Sequence, residues 1–253
     1  MLTEERKRHI AEVLRRDGRV VAKALSAALS VSEDTIRRDL RELARDGALQ
    51  RVHGGALPAS PALQSLEARE GVFPAEKRAI GRAAAAMVRP GQVVFIDGGT
   101  TALQLALSLD PRLEATVATH SPQVAAALAH HAVEVILIGG RLYKHSMVSV
   151  GAAAMAAIGR IRADAYFMGV TGIHPELGLS TGDAEEAEIK RALAAAAAET
   201  VVLASPEKLG AASPYLVIPA GEVATLVTTD SVPAEALAAY ERLGVGVVRA
   251  AMG

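Results

Sequence analysis

The run VSEDTIRRDLRELARDGALQRVHGG, from Val31 to Gly55, leaves few choices of fold. Ser32 is a good N-cap, and Glu33 and Asp34 put acid in the first turn, where the helix dipole favours it. Ile36, Leu40 and Leu43 then recur at helical spacing and form one apolar stripe. At about 100° per residue, Arg37, Arg38, Arg41 and Arg45 fall on the opposite side. Gly47 ends the helix, and Leu49 to Val52 and Ala56 to Leu57 flank His53-Gly54-Gly55 as a small wing. A helix whose Arg-bearing side stays free, followed by a basic hairpin, suits contact with a nucleic-acid duplex.

Taken alone, the same helix also fits a solvated surface helix with the i,i+4 pairs Asp34–Arg38 and Arg38–Glu42. The segment before it weighs against that. Thr3 to Arg16 reads as one helix, with Ile10, Val13 and Leu14 inward, and Val20 to Leu29 as a second, alanine-rich one. Only Ser30 and Val31 separate the second from the capped third, which is the spacing of a helix-turn-helix. Charge agrees: residues 1–57 hold 12 Lys and Arg against 9 Asp and Glu, the remainder 15 against 19. Positive charge is therefore concentrated in the N-terminal unit, and the chain as a whole is no general polyanion binder.

The chain has no cysteine, which excludes disulfides and thiolate metal sites, and its seven histidines show no metal-ligand spacing. No apolar run is long enough to span a bilayer and the first residues are charged, so a cytoplasmic protein without a membrane partner is expected. Pro58 and Pro61 punctuate the end of the wing, and 58–75 reads as linker with a short helix. We expect a DNA-binding domain at 1–57 and a second domain at 76–253. In the latter, short apolar strands alternate with helices: Gln92 to Ile96, Ala115 to Thr119, Val133 to Ile138, Ala165 to Gly169, Val201 to Ala204, Val223 to Thr228 and Val245 to Arg249. That order argues an α/β domain with a mostly parallel sheet covered on both faces.

In such sheets ligands bind beyond the carboxyl ends of the strands. The first strand runs into Asp97-Gly98-Gly99-Thr100-Thr101 and a helix, a tight turn that also suits an anion at a helix N-terminus. No Gly-Lys-Ser/Thr follows, so it is not a nucleotide P-loop. The next strands end in Thr119-His120-Ser121, in Gly139-Gly140-Arg141 and in Gly169-Val170-Thr171-Gly172. Four such loops converging on one crevice point to a phosphate-bearing ligand. Glu186 and Lys190 read from periodicity as a plain i,i+4 pair, and Lys208 reads equally as a solvated loop lysine.

The run VSEDTIRRDLRELARDGALQRVHGGA resembles the winged helix-turn-helix signature of the DeoR family of bacterial transcriptional regulators. EKRAIGRAAA at 76–85, DGGTT at 97–101, ILIGGRL at 136–142 and EEAEIKRAL at 185–193 resemble the family's effector domain in the same order. The resemblance implies a small helical winged helix-turn-helix domain followed by an α/β domain similar to ribose-5-phosphate isomerase. It implies a repressor of a carbohydrate or polyol catabolic operon, released from operator by a phosphorylated sugar or polyol, without a cofactor. Lys208 stands at a position where many relatives carry lysine, whereas Ser205 replaces a nearby aspartate and His120 an asparagine.

Lys23, Ser32, Glu33, Thr35, Arg37, Arg38, Arg41, Arg51 and His53 are the expected contacts to double-stranded operator DNA. Thr35, Arg37 and Arg38 would read bases, with Lys23 and the wing on phosphates. The loop residues at 97–101, 119–121, 139–140, 169 and 171–172, with Glu186, Lys190 and Lys208, are the expected effector contacts. One small winged domain buries little surface, so a dimer or larger homo-oligomer is expected. The alternative is a sugar-phosphate isomerase, for which only Asp97, Glu186 and Lys208 could serve as acid and base; the fused DNA-binding unit and the missing aspartate at Ser205 argue against turnover.

Overall fold

A computed structural model describes residues 2–60 and 66–252. The chain opens with α1 (Thr3–Asp17), β1 (Val20–Val21), α2 (Ala22–Leu29), α3 (Glu33–Arg45), β2 (Leu49–Val52) and β3 (Gly55–Pro58). The helices fall where the sequence puts them, with one difference: Val20 and Val21 form a strand rather than the start of α2. Two adjacent β-branched residues favour extended backbone. They pair antiparallel with the wing, Val20 opposite Ala56 and Val21 opposite Gly55, giving a three-stranded sheet in the order β1-β3-β2. Ile10, Leu14, Val20, Leu25, Ile36, Leu40 and Leu49 make the core of this unit.

Asp39 departs from the apolar stripe of α3 and is only 1% exposed. It meets Arg6 of α1 in a two-pronged pair: Arg6 Nη2 donates to Oδ1 at 2.9 Å and Nε donates to Oδ2. Lys7 reaches Glu42 of the same helix at 2.8 Å. The first helix thereby fixes the third through charge as well as packing.

The rest of the chain contains α4 (Leu66–Glu70), α5 (Pro74–Ala85), β4 (Val93–Ile96), α6 (Thr100–Ser108), β5 (Thr116–Thr119), α7 (Pro122–Ala127), β6 (Glu134–Leu137), β7 (Arg141–Tyr143), β8 (Val148–Val150), α8 (Ala152–Ile158) and β9 (Ala163–Gly169). It continues through β10 (Gly172–His174), β11 (Gly178–Thr181), α9 (Ala184–Ala195), β12 (Ala197–Leu203), β13 (Tyr215–Leu216), β14 (Thr225–Thr229), α10 (Ala234–Glu241) and β15 (Gly246–Ala250). Seven strands form one sheet in the order β15-β14-β12-β9-β4-β5-β6, and every neighbouring pair is parallel. The expected linker falls partly on residues 61–65, which lie outside the described residues; α4 and the start of α5 occupy its second half.

Both faces of the sheet are buried at its central strands, while the edge strands β6 and β15 are partly exposed, and period-2 alternation divides the core between the two faces. Val94, Ile96, Phe167, Val201 and Leu203 pack with α5, α6 and α7 through Ile80, Leu105 and Val124. Phe95, Tyr166, Met168 and Val202 face the other way, against Ile158 of α8, Leu193 of α9 and Tyr240 of α10. The hairpin β7–β8, helix α8 and the antiparallel sheet β10-β11-β13 were not expected from sequence. Their strands have two to four residues, too few to show a period.

The chain runs from β4 outward through β5 to β6, then returns to the other side of β4 with β9. Strand order therefore reverses between β4 and β9, and a crevice opens beyond their carboxyl ends.

Replacing Asp39 with Ala removes the carboxylate from a buried ion pair and is expected to cost about 3–5 kcal/mol of stability in the N-terminal unit. The double variant Arg6→Ala/Asp39→Ala is expected to lose less than the sum of the two single changes. Urea unfolding of the four proteins checks this.

Candidate nucleic-acid interface and anion pocket

On α3, Ser32 Oγ accepts from the Thr35 backbone N–H at 3.1 Å and lies 2.8 Å from Thr35 Oγ1. The cap fixes where the helix starts and so which side of it stays free. Arg37, Arg38 and Arg41 are exposed on that side, as are Lys23 on α2 and Arg51 and His53 on the wing. Lys23, Glu33, Arg37, Arg51 and His53 border one depression between helix and wing. Arg38 and Arg41 border a second, with Arg51 on the ridge common to both. Arg37 is held by Glu33 at 2.7 Å, while Arg38 lies 4.0 Å from Asp34. Exposed i,i+4 pairs of this kind are weak and exchange readily for another anion.

The crevice between β4 and β9 holds a polar pocket. Gly98 to Ala102 line it from the β4–α6 turn, and Gly169 to Thr171 from the end of β9. Glu186 and Lys190 of α9 and Lys208 complete much of the rest. Gly99 caps α6 in a left-handed conformation, φ +99°, with no side chain to satisfy the first N–H groups of the helix. The N-terminus of α6 is thus positive and uncapped at the pocket wall. Thr101 is buried with its Oγ1 unpartnered, and so is Thr181.

Asp97 lies behind these glycines rather than among the lining residues. Its Oδ1 accepts from Gly98 N at 2.9 Å and meets His120 Nε2 at 2.8 Å. Its Oδ2 accepts from Gly169 N at 2.8 Å and from Lys190 Nζ. Burial alone would push the carboxyl up, but the Lys190 charge and the His120 contact hold it well below the usual carboxylate range. Lys190 also donates to the Gly169 carbonyl at 2.9 Å and lies 3.6 Å from Glu186. Burial disfavours its charge, yet Asp97 and Glu186 raise its affinity for the proton. Lys208 has no ion-pair partner among the described residues. Burial pushes it down from 10.5 to about 8 against the pull of Glu207, with Lys77, Arg69 and Lys190 adding repulsion.

Two families match this chain: the DeoR-like helix-turn-helix domain over residues 6–61 and the DeoR C-terminal sensor domain over residues 73–230. The chain belongs to the DeoR family of transcriptional regulators. It is 36% identical to the HTH-type transcriptional regulator GlpR of Haloferax volcanii, covering 98% of each chain. It is 31% identical to the putative aga operon transcriptional repressor of Escherichia coli O157:H7, over 97% of this chain and 93% of that protein. The HTH-type transcriptional repressor GlcR of Bacillus subtilis is 32% identical, over 93% and 92%. Among solved structures, ribose 5-phosphate isomerase A of Methanocaldococcus jannaschii overlaps 52% of each chain at 17% identity, with a TM-score of 0.39. No helix among the described residues of this DeoR-family regulator is long and apolar enough to cross a membrane.

Of the expected effector residues, Gly98, Gly99, Thr100, Thr101, Gly169, Thr171, Glu186, Lys190 and Lys208 line the pocket. Thr119, His120, Ser121, Gly139, Gly140 and Gly172 do not line it. The reason is strand order: β5 and β6 lie one and two strands away from the reversal, so their loops open farther along the edge. His120 acts from behind, joining Asp97 to the Ser149 carbonyl, which its Nδ1 meets at 3.1 Å. Ser121 caps α7, Gly140 packs against Val150, and Gly172 against Ala211. Glu186–Lys190 is no plain surface pair, and Lys208 is only 6% exposed rather than solvated.

Arg69, Lys77, Ser146, Thr181 and Glu207 also line the pocket and were missed. Two had a signal: Lys77 lies in the EKRAIGRAAA motif and Glu207 beside Lys208. Arg69, in the expected linker, had none.

Because Lys208 holds its proton less firmly folded than unfolded, its buried charge costs stability below about pH 8, and that cost lifts as pH rises from about 8 toward 10.5. Lys208→Met removes the charge. Its stability advantage over the parent protein is therefore expected at pH 7 and to shrink above pH 8, as read by urea unfolding across that range.

Proposed function

We propose that this DeoR-family regulator represses a carbohydrate or polyol catabolic operon and is released from its operator by a phosphorylated sugar or polyol. The observation that carries the effector reading is the pocket. It joins an uncapped helix N-terminus, the buried ammonium of Lys208 and the unpartnered hydroxyls of Thr101 and Thr181. Buried hydroxyls without partners, and a cation that forms no ion pair among the described residues, suit an anion with hydroxyls attached. The names of two relatives, the putative aga operon transcriptional repressor and the transcriptional repressor GlcR, support repression as the mode of action.

The isomerase alternative lacks support at the site. Asp97 is fully enclosed and its two oxygens are occupied by four groups, so it is not presented to a bound carbonyl.

Under this proposal Thr35, Arg37 and Arg38 read base edges, while Lys23, Arg51 and His53 meet phosphates. Ser32 sets the start of the helix, Glu33 steers Arg37, and Arg41 extends the contact along the groove. A homo-oligomer would bring two such units to repeated half-sites. Arg38→Ala is expected to weaken operator binding by about 1–3 kcal/mol and relax selectivity at one base position. Arg51→Ala is expected to weaken binding on every sequence and flatten its salt dependence. Fluorescence titration against operator and scrambled DNA at several salt concentrations separates the two; unchanged affinity in both variants refutes the interface.

The effector reading is tested by calorimetry with aldose, ketose and polyol phosphates beside their unphosphorylated parents. At least one phosphate is expected to bind while its parent does not, since a neutral hydroxyl leaves donors unsatisfied at about 1–3 kcal/mol each. Thr100→Ala and Lys208→Ala are expected to lose that response yet keep near-normal operator binding, giving a repressor that cannot be induced. A free sugar binding as tightly as its phosphate overturns the reading.

A further inference from the structure

The pocket wall that faces the N-terminus of α6 comes from outside the α/β sheet. It is made by Arg69 of α4, Val72 in the following turn and Lys77 of α5. Arg69 Nη1 lies 3.8 Å from the point where a Cβ on Gly99 would stand, so the guanidinium sits over the uncapped end of α6. Its Nε and Nη2 are closed off from solvent and donate to no acceptor among the described residues. A guanidinium and a helix N-terminus are both positive and repel each other; Glu186 and Asp97 lie near enough to favour the Arg69 charge, but neither accepts a hydrogen bond from its Nε or Nη2. Their common complement is an anion between them, and the planar fork of arginine matches phosphate in particular.

The backbone of the same residue is tethered. Lys77 Nζ donates to the Arg69 carbonyl at 2.5 Å, and Leu66 N donates to the His145 carbonyl at 3.0 Å. On the far side of residues 61–65, Ser60 is buried and its Oγ donates to the carbonyl of Thr171, another lining residue. The connection between the two domains therefore touches the pocket at both of its described ends.

We propose that Arg69 is a direct phosphate ligand of the effector pocket, so that the segment joining the DNA-reading unit to the sensor domain is itself part of the effector site. This rests on the anion reading above and adds to it. The phosphate is gripped between the α6 N–H groups and the Arg69 fork. Occupancy then fixes α4 against α6, and a change of ligand state reaches the interdomain segment without passing through the sheet.

Hydrogen exchange of the full-length protein with inorganic phosphate as probe, at constant ionic strength, tests this. In the parent protein, saturating phosphate is expected to slow exchange at 100–103 of α6 and at 66–72 by about tenfold. In Arg69→Gln the α6 protection is expected to persist with phosphate affinity reduced about tenfold, while protection at 66–72 is lost even at saturation. Arg69→Lys keeps the charge without the fork and is expected to fall between. Equal protection of 66–72 in parent and Arg69→Gln overturns the assignment, as does an unchanged phosphate affinity in that variant. If phosphate protects neither segment of the parent, the anion pocket itself is wrong and the assignment falls with it. If it protects α6 alone, the pocket stands and only the role of Arg69 falls.

Discussion

Four groups converge on the two oxygens of Asp97: the N–H groups of Gly98 and Gly169, the imidazole of His120 and the ammonium of Lys190. They come from the ends of β4, β9 and β5 and from α9, so one carboxylate ties together three neighbouring strands and the helix that crosses them. A charge this deep is tolerated only when every lone pair is used and an opposite charge is in contact. Because Asp97 consumes the donors behind the glycines, the front of the same turn is left with an uncapped helix end. The electrostatic asymmetry of the pocket follows from that arrangement: the Asp97 charge is locked behind the turn, while in front Arg69, Lys77 and Lys208 outnumber Glu186 and Glu207.

Much of this architecture was legible in the sequence, for identifiable reasons. The helix from Glu33 to Arg45 announced itself through Ser32, the acidic first turn and the spacing of Ile36, Leu40 and Leu43. The parallel sheet was visible because strands such as VVFI at 93–96 are apolar on both faces. The crevice was placed by a topological rule that needs only strand order. What failed was the assumption that every polar loop at that end would share it. The distance of Thr119 and Gly139 from the pocket depends on which side of β4 each strand joins, and a sequence does not state that.

Asp39 and Arg69 illustrate the other blind spot. Each is a charged residue drawn inward to a group remote in sequence. Asp39 meets Arg6, and Arg69 reaches across to the turn at Gly99. Periodicity reports which face a residue occupies, not which group remote in sequence lies beside it. Lys190 belongs to the same class: its spacing from Glu186 is that of a surface pair, but its ammonium lies against Asp97, far from it in the chain.

The placement of Arg69 bears on how the molecule can be divided. The family match to the sensor domain begins at residue 73, and that boundary is a natural point at which to cut a fragment for crystallisation or ligand screening. Such a fragment would retain the sheet, the α6 turn, Lys190 and Lys208, yet it would lack Arg69 and Val72. Its pocket would be missing one side. Affinities and selectivities measured on it would belong to a half-open cleft, and a screen could discard the natural ligand for want of the residue just upstream of the cut. On the assignment proposed for Arg69, the functional border of the sensor lies upstream of the border set by family similarity, within the stretch that sequence alone assigns to a linker.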